Sequence, residues 1–147
     1  MNASIAVFNL NKKHGINERF IGGIARSILK ILKKQSMELE ITFLNDRAIK
    51  PINEKYKHIN SATDVLSFDL GSCGQILISS ETALRNSHVF NVPFEKELVL
   101  YLIHGILHLC GYDDEKPKKK VKMFGKQAFI LEMLCAKINL SKVLTRR

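Results

Sequence analysis

The chain has 147 residues, 46% of them hydrophobic, so it is long enough for one domain with a sizeable core. Its formal net charge of +9 favours a polyanionic partner, although surface lysines that only keep a protein soluble give the same balance. Three well-separated cysteines exclude a CxxC zinc ribbon and a disulfide framework. Neither a membrane span nor a secretory signal is predicted, so we expect one cytoplasmic domain over residues 1–147 with a basic tail from about residue 138.

The first third of the chain predicts a strand, a helix and a second strand. Residues 3–10 alternate apolar and polar side chains, which is typical of a strand. Apolar residues recur at helical spacing over residues 17–35, and clear alternation returns over residues 38–44. The pattern therefore indicates a β-α-β start.

The middle of the chain predicts a short helix followed by two strands. Asn45 is suited to cap a helix that ends near Lys57, and Pro51 is expected to interrupt or restart that helix. The next predicted elements are two strands joined by a short turn, and then another helix, at residues 65–70, 74–79 and 80–90.

A largely buried helix with two histidines follows, and it is the most informative part of the sequence. Apolar residues recur at helical spacing from Leu98 to Leu109, and Pro93 suits the first turn of this helix. His104 and His108 are one helical turn apart, so their imidazoles lie on the same face.

The chain after this helix completes a candidate metal site: Gly111 provides the turn and Asp114 the third ligand. Gly111 suits the left-handed conformation that ends a helix and turns the chain back, which would bring Asp114 to the two imidazoles. Two nitrogens and one carboxylate oxygen leave a fourth tetrahedral position for water, as in a catalytic zinc site. A lone histidine on an apolar helix is more often a core or surface residue. Two histidines one turn apart, followed after three residues by Gly111 and after three more by Asp114, are much harder to obtain by chance. Cys110 is predicted to be a packed thiol rather than a ligand.

A last helix is predicted after Pro117, which gives the order β-α-β-α-β-β-α-α-α. This order predicts an α+β (α/β-like) domain with a small mixed sheet packed by helices. The metal site would lie at the end of a buried helix. Gly105 stands where HExxH metalloproteases carry their general-base glutamate, so peptidase chemistry is disfavoured.

Two blocks of the sequence resemble a known family. Residues 104–113, His-Gly-Ile-Leu-His-Leu-Cys-Gly-Tyr-Asp, resemble the signature of the YbeY family of bacterial metal-dependent endoribonucleases. Residues 53–57 and 63–68 are similar to the family's other hallmark, and the resemblance covers roughly residues 44–114. It implies a mainly four-stranded sheet and one divalent ion, which would be zinc or another transition metal. It also implies cleavage of single-stranded RNA in ribosomal RNA maturation and ribosome quality control. The implied partners are ribosomal RNA and the small ribosomal subunit, without DNA-specific or membrane binding.

The sequence departs from the family pattern around the metal. The third ligand is normally a histidine, and Asp114 stands there. A carboxylate still binds zinc, but its negative charge should leave a bound water less acidic than it would be with three neutral histidines. The oxygen ligand also widens the choice of metal. Asp113 matches the family's aspartate and is expected to orient a histidine, or to be the ligand itself. Gln75 replaces a usual acidic residue, so a charge-dependent role there would be lost.

The second block supplies the expected phosphate contact. The resemblance implies a functional cation at Lys57, where the family carries arginine, and lysine keeps the charge but loses the bidentate grip on phosphate. An exposed lysine at a helix end is the alternative interpretation. His58 is a further candidate for holding phosphate. Thr63 or Asp64 is expected to fix the loop before the strand, and Ser67 to line the cleft.

Six lysines crowd just beyond Asp114: Lys116, Lys118, Lys119, Lys120, Lys122 and Lys126. We call them the lysine cluster. Such runs often only solvate a helix face, but here the run begins two residues after a proposed ligand, which favours phosphate contacts at the rim of the site. Four further basic residues either extend this surface or are disordered: Lys137, Lys142, Arg146 and Arg147.

The leading hypothesis is a zinc-type, single-strand-selective endoribonuclease. His104, His108 and Asp114 hold the metal, and Lys57 with the two histidines carries the chemistry. The alternative is a non-catalytic RNA- or ribosome-binding factor that keeps the fold with a weakened metal site. A third hypothesis is a metallohydrolase for a small substrate, whose activity would not respond to salt.

Overall fold

The computed structural model describes residues 3–145, which form a four-stranded sheet with five α-helices. The strands are β1 (Ile5–Asn9), β2 (Leu39–Leu44), β3 (Val65–Asp69) and β4 (Gly74–Ser79). The helices are α1 (Glu18–Ile31), α2 (Asp46–Lys57), α3 (Ser80–Phe90), α4 (Phe94–Leu109) and α5 (Pro117–Lys137), followed by a 3-10 turn at Leu140–Val143. The predicted α+β architecture is confirmed.

The sheet is mixed, with the strand order β1-β2-β4-β3. β1, β2 and β4 run parallel, and β3 runs antiparallel to β4. The predicted hairpin between β3 and β4 is therefore confirmed. The Leu70 amide donates to the Cys73 carbonyl at 2.9 Å, and Gly71 adopts a φ of +86°, which glycine takes without strain.

The two faces of the sheet bury cores of different size. Alternating residues such as Ile41 and Ile76 are fully buried in the large core, which α1, α4 and α5 complete. The opposite face carries a small cluster under α2, formed by Leu44, Ile49, Leu66 and Leu77. The side chains needed for the large core determine where α4, and with it the histidine pair, must lie.

Helix α4 approaches the sheet closely at Gly105. A Cβ atom at this position would lie 2.8 Å from Ile76 Cγ2 and 3.2 Å from Ser67 Oγ, which is closer than packed carbon atoms come. The position faces the sheet rather than the cleft. A general-base glutamate would therefore not fit there, in agreement with the prediction against peptidase chemistry.

Two helix predictions differ from the structure. Helix α1 ends at Ile31 rather than near residue 35, because Leu32 caps it and Lys33 turns left-handed at a φ of 57°. Helix α2 continues through Pro51, so the expected interruption is wrong. Pro51 and Arg47 are both exposed, so water can bind the carbonyl that lacks an amide donor. The cap at Asn45 is confirmed, since its side chain accepts from the Ala48 amide at 2.9 Å.

The segment after α5 packs against the body of the protein. Val143 is fully buried, and the Thr145 amide donates to the Gly15 carbonyl at 2.9 Å. The part of the expected basic tail that is described is therefore docked. Arg146 and Arg147, expected to extend the basic surface, lie outside the described residues. Among residues 3–145, no helix has both the length and the apolar composition required for a membrane span.

Candidate metal centre

The turn at the end of α4 brings Asp114 back to the histidines, as predicted. Gly111 has a φ of +94°, and its amide donates to the His108 carbonyl at 3.0 Å. The Tyr112 amide donates to the Leu107 carbonyl at 3.0 Å, which closes the turn. Free helical carbonyls are satisfied in this way at many helix ends that reverse the chain.

The three predicted ligands converge on one point. His104 Nε2 and His108 Nε2 are 3.1 Å apart, and Asp114 Oδ2 lies 3.7 Å from the first and 3.8 Å from the second. Ligand atoms bound tetrahedrally to zinc at ~2.0–2.1 Å lie about 3.4 Å apart. The observed separations fit that geometry, so these residues could hold a metal ion. Asp114 reaches the imidazoles although its side chain is shorter than a histidine.

Gln127 on α5 orients one of the imidazoles. Its Oε1 lies 2.8 Å from His104 Nδ1, and an amide oxygen can only accept, so the proton of His104 lies on Nδ1 and the lone pair on Nε2. The expected partner, Asp113, instead accepts from the Glu115 amide at 2.8 Å and lies 3.9 Å from Lys119 Nζ. In the described part of the chain, Gln127 therefore makes the contact that we expected of Asp113. No local pattern signals Gln127, because the contact joins two helices.

The electrostatic environment keeps His108 in the form that binds metals. Burial lowers the pKa of His108, and the nearby His104 and Lys57 lower it further, while Asp114 and Asp113 oppose them. A lowered pKa leaves the imidazole neutral at neutral pH, with a lone pair available for coordination. Burial also raises the pKa of the Cys110 thiol, which agrees with the prediction of a packed thiol.

An open cleft of about 840 Å³ lies over the three ligands. Lys57, at the end of α2, lines this cleft together with the histidines and Asp114, so both sequence blocks face the same space. His58 does not line it; this residue ends α2 in a left-handed conformation with a φ of 59°. The sequence-predicted candidates are thus brought together except for His58.

Hydrogen bonds fix the loop and the strand that line the cleft beside α4. Asp64 Oδ1 accepts from the Val65 amide at 2.7 Å and from Thr63 Oγ1 at 3.3 Å, as expected for residues that fix this loop. Asn53, which is buried, donates to the Ser61 carbonyl at 3.0 Å and so anchors the loop after α2. Ser67 lines the cleft as predicted, and its hydroxyl donates to the Gly105 carbonyl at 3.1 Å.

The lysine cluster follows the ligand loop and continues along the first turns of α5. Its members are exposed, except for the partly buried Lys126. Lys122 Nζ lies 6.0 Å from the ring centroid of Tyr112, a residue that lines the cleft. Gln75 does not line the cleft, and its side chain donates to Glu40 Oε1 at 3.2 Å. The basic surface and the metal centre are therefore neighbours.

Comparison with known proteins identifies the family. The family model described as Endoribonuclease YbeY matches residues 6–135. The chain belongs to the YbeY family. The protein named Endoribonuclease YbeY from Persephonella marina is 34% identical over 136 residues, which cover 84% of this chain and 89% of that protein. The YbeY relative from Bdellovibrio bacteriovorus is 33% identical over 139 residues, covering 86% and 93% respectively.

A solved structure shares this fold. The solution structure of TM1509 from Thermotoga maritima superimposes with a TM-score of 0.67 at 29% sequence identity, and the match covers 91% of each chain. The resemblance inferred from two short blocks thus extends over most of the described residues, including the strands and helices outside those blocks.

Proposed function

We propose that this protein is a metal-dependent endoribonuclease that cleaves single-stranded RNA. The observation that carries the proposal is the convergence of His104, His108 and Asp114 under a cleft that also contains Lys57. The YbeY relatives described above are named endoribonucleases. The family resemblance further suggests ribosomal RNA as the substrate, the small ribosomal subunit as a partner and the cytoplasm as the location.

His104, His108 and Asp114 would hold one divalent ion, which we propose to be zinc. A bound ion of this kind acidifies a water molecule and polarises a phosphoryl oxygen. The single negative charge of Asp114 offsets part of the ion's charge, and its oxygen ligand also accommodates harder metals such as manganese. Gln127 holds the His104 ring so that Nε2 faces the other two ligands.

Lys57 would stabilise the negative charge that develops on the phosphoryl group during cleavage. It lines the same cleft as the three metal ligands, so a phosphodiester bound there would meet this cation as well as the metal. The lysine cluster would bind neighbouring phosphates without reading sequence. The non-catalytic alternative is not favoured, because the complete ligand set and the cation share one cleft.

The proposal is tested by stripping the protein of metal, reconstituting it and measuring cleavage of single-stranded RNA. We expect about one equivalent of zinc or a similar metal by mass spectrometry, cleavage only with metal, and loss of both in His104→Ala and His108→Ala. His88→Ala, an exposed histidine on α3, is the matched control and should behave as the wild type. Binding of RNA without metal-dependent cleavage would refute the enzymatic assignment.

A further inference from the structure

One aromatic ring of α5 lies directly against the metal centre. The Phe124 ring centroid is 6.3 Å from that of His104, and the two ring planes are inclined by only 28°. Even so, 41% of Phe124 remains exposed. The ring therefore contacts a proposed metal ligand and also offers apolar surface to solvent at the edge of the site.

The surroundings of this ring are cationic. Lys120 Nζ lies 5.7 Å from the Phe124 ring centroid, and the other members of the lysine cluster surround the start of the same helix. Exposed aromatic rings among lysines are the combination that binds single-stranded nucleic acid without sequence preference: bases stack on the rings and phosphates contact the cations. If Phe124 served only to pack against the side chain of Lys120, it would not need to remain 41% exposed.

We infer that Phe124 is a stacking platform for one unpaired base of the RNA, next to the phosphodiester held at the metal centre. The inference rests on the proposed endoribonuclease function and adds a base-binding subsite to it. Because Phe124 contacts His104 itself, the stacked base would belong to a nucleotide beside the scissile bond. The lysines on either side would contact the adjoining phosphates.

This arrangement gives a physical origin for single-strand selectivity. A base inside a duplex already stacks on its neighbours above and below, so it must be unstacked before it can lie on a protein ring. An unpaired base has a free π face and does not incur that cost. The platform would therefore favour single strands without any contact to the edges of the bases, and so without sequence preference.

Helix α5 also provides a matched control. Phe129 is 50% exposed, and Lys126 Nζ lies 5.3 Å from its ring centroid, so its local environment resembles that of Phe124. Five residues of α-helix, however, turn the side chain by about 140°, away from the face that contacts His104. If any exposed aromatic near lysines bound the RNA, the two positions would behave alike.

The first measurement uses fluorescence anisotropy to determine the affinity of metal-stripped protein for a short labelled single-stranded RNA. Phe124→Leu keeps an apolar side chain but removes the π face, and we expect binding about 5- to 150-fold weaker. Phe124→Trp should bind at least as tightly as the wild type, and Phe129→Leu should be unchanged. Zinc stoichiometry should be the same in all four proteins, because the platform acts on RNA.

The second measurement uses RNAs that lack a single base at successive positions. The wild type should bind much more weakly to the RNA that lacks the base at one particular position. Phe124→Leu should bind that RNA as tightly as it binds the intact RNA, because it can no longer stack the missing base. The inference would be wrong if removal of that base weakened binding equally in both proteins, or if Phe124→Leu bound intact RNA as tightly as the wild type. If the wild type cleaves RNA while Phe124→Leu matches it throughout, only the platform fails. If the wild type neither binds nor cleaves RNA, the proposed function fails as well.

Discussion

The two sides of the site, the metal centre and the basic surface beside it, are built on different physical principles. On the metal-binding side, which is built mainly on α4, the histidines emerge from a helix whose neighbouring residues are fully buried. The His104 ring donates a hydrogen bond to Gln127, and the Gly111 turn closes the end of the helix. On the side of the basic surface, most of the lysine cluster is exposed, and Phe124 beside it is 41% exposed. The first side is rigid enough to hold a metal ion, and the second is adaptable enough for a flexible polyanion.

This contrast implies that substitutions on the two sides affect different measurable quantities. Changes on the α4 side should alter metal affinity or the free energy of unfolding, because those side chains are packed. Changes at the exposed lysine cluster and at Phe124 should alter RNA affinity and its dependence on salt, while the fold and the metal remain unaffected. The following predictions test this separation, from the largest expected effect to the smallest.

The close approach of α4 to β4 should be the most sensitive point. Gly105→Leu would force a side chain into the space of Ile76 and Ser67, and we expect the free energy of unfolding to fall by about 1–3 kcal/mol or more. Urea unfolding measures the change. Gly125→Leu is the control, since nothing lies within 4 Å of a Cβ at that helical glycine. Equal stability of the two variants would show that α4 does not depend on close contact here.

The hydrogen bond to His104 should come next. Gln127→Leu removes the acceptor, and loss of such a partner typically weakens metal binding by about 10- to 100-fold. Gln127→Glu keeps an oxygen at the same position and should retain the affinity. Zinc competition with a chelating dye, or the absorption spectrum of the cobalt form, gives the measurement. If Gln127→Glu binds zinc as poorly as Gln127→Leu, the contact does not act through an acceptor oxygen.

The lysine cluster should give the smallest effect, and only on RNA binding. Replacing Lys118 and Lys122 by glutamine removes two exposed charges, and each lost phosphate contact should lower the slope of log affinity against log salt by ~0.7. Zinc content should not change. A metal loss in this double variant would contradict the separation between the two sides. An unchanged salt slope would remove these lysines from the RNA-binding surface.

The parts of the site that local sequence determines are predictable. The spacing of His104 and His108, the turn at Gly111 and the return of Asp114 depend only on helix geometry and on one left-handed residue. The four strands are predictable for the same reason, since alternation along the chain reports burial on one face. The position of Lys57 in the cleft required the family resemblance, because no local sequence pattern relates α2 to α4.

The contacts that sequence could not predict all depend on how two elements pack. Gln127 and Phe124 reach His104 from α5, and their register against α4 is set by the buried residues between the helices, not by any motif. Asp113 was assigned the orienting role because it adjoins a ligand in sequence, yet its carboxylate turns back to its own loop. Pro51 was expected to disrupt α2 from its general helix propensity, but its exposed position makes it tolerable.

The loop that carries Asp114 has a consequence for how such a centre can diversify. After Gly111, this loop is held mainly by its own hydrogen bond from Glu115 to Asp113, and none of residues 111–116 is buried. The third ligand can therefore be exchanged without repacking the protein, whereas either histidine is embedded in the helix that organises the core. At the proposed metal centre, an exchange of this ligand would therefore change the preferred ion while the helix and the core stay as they are.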